Sequence, residues 1–148
     1  MTTAEDIAIP RIKLDEGFSA PAYVDPISGG EPITIGYGAT FHGLKLGTVW
    51  TEQQATDDLT QRVAGFAAQL DARLPWWRSV GPVRAAVLLN MAYNLGVDGL
   101  LQFKNTLAMV KGGRYGDAAS NMLLSTWAKQ VKGRAVRLSQ QMKTGVAA

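Results

Sequence analysis

Cysteine is absent from the 148-residue chain and histidine occurs once, as His42. Disulfides, thiolate metal sites and a cysteine nucleophile are therefore excluded. One histidine is too few for a zinc site of the usual His/Cys type; no metal or other cofactor is expected. Long apolar runs are also missing. None reaches the ~18 residues that span a bilayer, so no stable membrane insertion is expected. The first residues carry Glu5 and Asp6 and no basic cluster, unlike a secretory leader. The expected location is thus the cytoplasm of the producing cell. Acids become scarce in the second half. Residues 75–148 hold two acids and ten bases, whereas residues 1–74 hold ten acids and five bases. A basic half points to a polyanionic partner or to an electrostatic contact between lobes. What is present suffices for a core: 47% of residues are hydrophobic and 18% charged, far from a disordered composition.

The pattern reads as a short helix, a strand-rich segment, then helices. Pro10 fits a first helical turn, Ile9, Ile12 and Leu14 add apolar bulk, and Gly17 fits a stop. This predicts a helix over about 9–16. Residues 22–25 and 33–37 read as strands flanking the turn-rich loop 26–32. Period two places Ile33, Ile35 and Tyr37 on one face. Thr34, Gly36 and Gly38 then share a bare face that something else can approach. Thr51 and Gln54 form a capping-box pattern, opening a helix to about Arg73 that is long enough to bridge two lobes. Pro82 starts an apolar helix ended by Gly96. It is hydrophobic nearly all round and should be a buried centre. Shorter helices are expected near 105–111, 114–124 and 134–142.

Asp15 and Glu16 stand just before the stop glycine, where the helix dipole disfavours carboxylates. Rules of this kind tend to be broken at functional sites, although two solvated surface acids would read the same way. Asp25 ends the first strand and Thr34 lies in the second, so the two side chains could meet across a hairpin. Two carboxylates and a hydroxyl beside a cleft suit glycoside hydrolysis: one carboxyl protonates the leaving oxygen and the other activates water or attacks the sugar. Asp25 also reads as a turn-initiating residue before Pro26, and Thr34 as an ordinary strand threonine.

These residues carry a resemblance. Glu16 and Asp25 with eight residues between them, followed by Thr34-Ile35-Gly36-Tyr37-Gly38, resemble the phage-type lysozymes (endolysins) of glycoside hydrolase family 24, including the T-even phage enzyme. Leu88 to Gly96, Phe103 to Leu107, Ser125-Thr126-Trp127 and Gly133 to Arg137 resemble further segments of that family, in order. The resemblance runs from about Ile9 to Gly145.

It implies an α+β, lysozyme-like fold of two lobes: a hairpin-containing N-terminal lobe at about 9–50, a connecting helix at about 51–73 and a helical lobe at about 74–148. It implies hydrolysis of the β-1,4 bond between N-acetylmuramic acid and N-acetylglucosamine in peptidoglycan, with inversion. In this reading Glu16 is the general acid, Asp25 the second carboxylate, and Thr34 the hydroxyl that helps hold water. Arg134 matches an arginine that reaches the acid glutamate, and Tyr93 and Asn94 match positions lining the cleft. The implied partners are peptidoglycan glycan strands, not nucleic acid, and a monomer is expected. The enzyme would wait in the host cytoplasm until the membrane is permeabilised and then reach the wall. Ala39 stands where the family commonly has a histidine, so a lost polar contact is expected. The tryptophans, Trp127 included, read as packing more than as sugar platforms, and Asn90 as a satisfied buried polar group. A lytic transglycosylase or a catalytically inactive wall-binding module are the alternative readings.

Overall fold

A computed structural model describes residues 2–24 and 33–147. Eight helices and a two-stranded antiparallel sheet make up these residues, in an α+β arrangement. The chain divides into two compact units, Ile9–Ala64 and Met1–Ala8 with Gly65–Ala148.

Helix α1 spans Ala4–Glu16 and begins five residues before the expected start. Its start is a capping box that the position of Pro10 obscures. The Thr3 amide donates to Asp6 Oδ2 at 3.0 Å, and the Asp6 amide donates to Thr3 Oγ1 at 3.1 Å, so two orphan donors are satisfied reciprocally. Pro10 lies inside the helix and not in its first turn. Ile12 is fully buried, but Leu14 is 73% exposed and contributes nothing to the core.

Strand β1 (Ser19–Val24) pairs with β2 (Ile33–Gly36), with Tyr23 opposite Thr34 and Ser19 opposite Gly36. The expected five-residue second strand is one residue shorter. Gly36 adopts φ +65°, which ends the pleat. The chain reverses at once, since the Ile35 and Ala39 amides each donate to the other's carbonyl, at 3.0 and 2.8 Å. The other edge of β1 is held by Ala22 and Ala20, which bond Thr48 and Trp50 through the backbone. A small core of Ala22, Ile35, Ala39 and Leu44, with Ile33 and Trp50 against it, forms beneath this sheet. Ala39 is 1% exposed. An apolar side chain thus fills the position where a polar contact was expected to be missing.

The bare glycine face is not bare. A Cβ on Gly36 would stand 3.0 Å from Ala55 Cβ and 3.0 Å from Trp50 Cε3, so the protein's own side chains cover this glycine. Gly36→Ala should therefore destabilise the unit twice, through the positive φ and through the clash, by roughly 1–3 kcal/mol for the backbone alone. Chemical denaturation reads the loss. A variant as stable as wild type would refute the packing described.

Helix α2 (Glu52–Arg73) starts at the expected capping box. The Thr51 amide donates to Gln54 Oε1 at 2.8 Å and the Gln54 amide to Thr51 Oγ1 at 3.1 Å. Its 22 residues rise over about 33 Å. Ala55, Leu59, Val63, Ala67 and Leu70 form its buried stripe, three or four residues apart as a helix face requires.

In the larger unit a single 3-10 turn, Trp77–Val80, leads into α3 (Pro82–Leu95), which ends at Gly96 as expected. Residues 85 to 92 of α3 are all buried. Around it lie α4 (Val97–Leu101), α5 (Lys104–Lys111), α6 (Tyr115–Met122), α7 (Thr126–Val131) and α8 (Gly133–Thr144). Helices α4 and α7 were not expected from the pattern. Arg84 closes this unit by donating to the Met142 and Lys143 carbonyls at 2.7 and 3.1 Å, which satisfies the last turn of α8.

An ion cluster fixes the start of α1 within the same unit. Arg78 binds Glu5 through both guanidinium ends, at 2.9 and 3.2 Å, and Asp71 at 2.9 Å. The Arg78 hydrogen bonds hold both carboxyls below their ordinary values of 4.5 and 3.8. Depressed carboxylates stabilise the fold above their unfolded pKa, and that contribution is lost as pH falls through the folded value. Arg78→Gln should thus lower stability near pH 7 by about 1 kcal/mol, or about 2–4 °C in Tm for a chain of this size. Near pH 2 the difference should shrink to whatever Arg78 gains by stacking on the Trp77 ring at 4.4 Å. A thermal series in pH checks it, and an equal Tm loss at both ends would contradict the pairing.

Candidate active site

Glu16 is the last residue of α1. Its backbone position is set by Gly17, whose amide bonds the Lys13 carbonyl at 2.9 Å and whose φ of +71° stops the helix. The Glu16 side chain is exposed, whereas Asp15 is turned inward at 10% exposure beside Arg11, 3.6 Å away. The two adjacent carboxylates are therefore different in kind. Asp15 is a half-buried ion-pair member, and Glu16 is an exposed residue at the helix end.

Thr34 is half-buried on β2 opposite Tyr23. Asp25 directly follows Val24, the end of β1, and lies outside the described residues, as does the loop 26–32. Glu16 and Thr34 belong to the same compact unit.

A tie that sequence reasoning missed organises this unit. Glu52 Oε1 accepts from the Tyr37 hydroxyl at 2.7 Å, the Thr56 hydroxyl at 3.0 Å and the Lys13 ammonium at 3.4 Å. Those hydroxyl bonds, Tyr37's foremost, hold the Glu52 carboxyl below its ordinary value. Burial, and then the bond to Glu52, push the Tyr37 hydroxyl up. Lys13 also sits 5.4 Å from the Tyr37 ring centre, and Phe18 packs on that ring at 5.6 Å. The last turn of α1, the turn after β2 and the first turn of α2 are thus fastened together one turn from Glu16. The signal was available, since Glu52 is an acid in a first helical turn, but its partners are 39 and 15 residues away.

The larger unit holds the other expected residues. Asn90 is 2% exposed and accepts from Arg134 Nε at 3.1 Å, so it is the satisfied buried amide expected of it. Asn94 is exposed and accepts from Trp127 Nε1 at 2.6 Å. Trp127, 3% exposed, is packing and not a platform. Phe103 meets it edge-on at 6.1 Å, and Tyr93 meets Phe66 edge-on at 5.9 Å. Asn90, Asn94, Trp127 and Arg134 thereby form two crossed polar ties from α3 to α7 and α8. An open pocket of about 320 Å³ lies beside them, lined by Phe103, Lys104, Asn105, Thr106, Asn121 and Ser125 among others. The Thr106 hydroxyl donates to Asn121 Oδ1 within it. Among the described residues no cluster of three His, Asp or Glu side chains could hold a metal, and no helix is long and apolar enough to cross a membrane.

The phage lysozyme family model matches residues 13–142. The chain belongs to the phage lysozyme family. The match takes in every candidate residue named above. Among phage-lysozyme relatives, a protein described as probable T4-type lysozyme 1 from Dictyostelium discoideum is 29% identical over 69 residues, 47% of this chain and 41% of that protein. The pre-baseplate central spike protein Gp5 of Enterobacteria phage T4 is 35% identical over 71 residues, 48% of this chain and 12% of that protein. The aligned segment thus spans less than half the length of these curated relatives.

Proposed function

We propose that this protein is a peptidoglycan glycoside hydrolase that cleaves the β-1,4 bond between N-acetylmuramic acid and N-acetylglucosamine, and that its biological role is lysis of the host wall. The observation that carries the reading is the phage lysozyme match across residues 13–142. It contains Glu16 and Asp25, the pair of carboxyl groups that glycoside hydrolysis uses, and the Thr34 hydroxyl.

In the proposed reaction Glu16 gives its proton to the glycosidic oxygen as that bond breaks. Asp25 takes a proton from a water molecule held also by the Thr34 hydroxyl, and that oxygen bonds to the anomeric carbon from the opposite face. Products are a reducing sugar of inverted configuration and a free hydroxyl, with Glu16 ionised and Asp25 protonated until solvent resets them. The exposure of Glu16 and the rigid start of its unit support the donor role: the carboxyl is presented on a helix end fixed by Gly17 and the Glu52 tie. Tyr93, Asn94 and Arg134 are proposed as supporting residues on the helical side, held by the ties to Phe66, Trp127 and Asn90.

The reading is tested by incubating the purified protein with isolated peptidoglycan sacculi. Turbidity should fall as reducing ends appear in proportion. Intact sacculi with no new reducing ends would reject it.

A further inference from the structure

From residue 118 to the end the sequence carries five cations and no Asp or Glu. The five divide by chemistry. Arg134 and Arg137 are half-buried. Lys129 on α7, Lys132 between α7 and α8, and Lys143 in the last turn of α8 are exposed. Among the described residues no carboxylate pairs with any of these three lysines. Lys132 has a second peculiarity. Its φ of 51° makes it the one described non-glycine residue in the left-handed half of backbone space. Glycine adopts such a conformation without steric cost, and Gly133 follows immediately, yet the cation occupies the strained place. Strain of that sort persists only where the surrounding structure enforces it, and it clusters at functional sites.

We propose that the lysines of α7 and α8 form a docking surface for a phosphodiester polymer attached to the cell wall, which keeps the enzyme on its substrate between cuts. The proposal rests on the wall-hydrolase reading only for where the polymer is met. Three features select this partner. Lysines act as mobile point charges, whereas planar bidentate recognition of an isolated carboxylate or phosphate favours arginine. The exposed set here is all lysine, which suits a dense, regularly repeated charge. Second, α8 buries its apolar face, Ala135, Leu138 and Met142, within its own unit. It exposes Gln140, Lys143 and Thr144 with Val136 as its lone exposed large apolar group; Leu123 and Leu124 before α7 and Val146 after α8 are exposed but lie outside the helices, so neither helix presents an apolar stripe to a lipid surface. Third, no exposed aromatic ring accompanies these lysines, and Trp127 is buried, so the stacking on which single-stranded nucleic acid binding relies is missing.

The test measures co-sedimentation of the full chain with purified walls that carry a polyol-phosphate polymer, and with the same walls after hydrofluoric acid has removed it. Wild type should bind the untreated walls at least about tenfold more tightly. Three ammonium–phosphate contacts imply a roughly twentyfold to fortyfold loss between about 50 and about 200 mM salt. The triple variant Lys129→Gln, Lys132→Gln, Lys143→Gln should lose both the preference and most of the salt dependence. Its cleavage of a short soluble glycan oligomer should match wild type. That oligomer assay separates failure of the hydrolase reading from failure of the docking surface, because binding is read without turnover. Lys132→Gly adds a split that a purely structural role would not show: relief of the strained backbone should raise Tm while wall capture falls. Equal binding to treated and untreated walls, an unchanged preference in the triple variant, or equally tight binding to duplex DNA or anionic lipid vesicles would each overturn the proposal.

Discussion

Glu16→Gln should abolish nearly all wall hydrolysis while leaving the fold intact. The substitution keeps the size and hydrogen-bonding reach of the side chain but removes the transferable proton. General acid catalysis is worth roughly 10²–10⁴-fold, and a glycosidic oxygen is too poor a leaving group to depart unprotonated at a useful rate. The structural cost should be small. The amide is nearly isosteric with the carboxyl, and the helix stop resides in the Gly17 backbone and its bond to Lys13. Circular dichroism and the cooperativity of melting should stay native. A well-folded Glu16→Gln protein that clears sacculi at near wild-type rate would remove Glu16 from the mechanism. Asp15→Asn makes the informative contrast. Asp15 is turned inward beside Arg11, so its loss should lower stability modestly and leave the chemistry in place.

Asp25→Asn should cost activity on a comparable scale, about 10²-fold or more. A hydrolase that delivers water needs a second carboxylate to take the proton and to stabilise the positive charge that develops on the sugar. Thr34→Ala, which removes a neutral hydroxyl from the proposed water site, should cost less than either carboxylate change. A transglycosylase would behave differently, since the sugar's own hydroxyl attacks and one acid/base carboxylate suffices. In that case Asp25→Asn would be nearly silent. Initial rates of reducing-end release on sacculi, compared at equal folded protein, separate the two outcomes.

How far the sequence carried depended on how local each determinant is. The start of α2 was legible because both halves of its cap, Thr51 and Gln54, lie within one turn. Likewise Pro82 and Gly96 bracket α3 by rules that act on single residues. The start of α1 has the same kind of cap, Thr3 with Asp6, but an internal Pro10 drew the boundary inward. Helix α7 was hidden although its cap is local, Ser125 Oγ accepting from the Ala128 amide, because its six residues are too few to show a helical period. The break before α8 falls at Lys132, which carries the unusual backbone, and not at the neighbouring Gly133. The covered face of Gly36 could not be read at all, because Trp50 and Ala55 come from 14 and 19 residues further along.

For the candidate site the split is similar. Glu16 stood out because two acids at a helix end defy the dipole, and the structure gives them unlike surroundings. The ties from Asn90 to Arg134 and from Asn94 to Trp127 join residues 44 and 33 apart. Those partners have no local signature; they follow from the packing of α3 against later helices. Asn90 was nonetheless recognisable as a buried polar group, since it sits on a helix that is apolar on nearly every side.

In the proposed reaction, water activated opposite a protonated Glu16 cleaves the muramyl bond. Mass spectrometry of sacculus digests made in oxygen-18 water tests this most directly. The wild-type protein should give muramic acid at the new reducing ends, each carrying one heavy oxygen, and Glu16→Gln almost none. Products ending in anhydromuramic acid without heavy oxygen, or labelled ends formed as fast by Glu16→Gln, would contradict it.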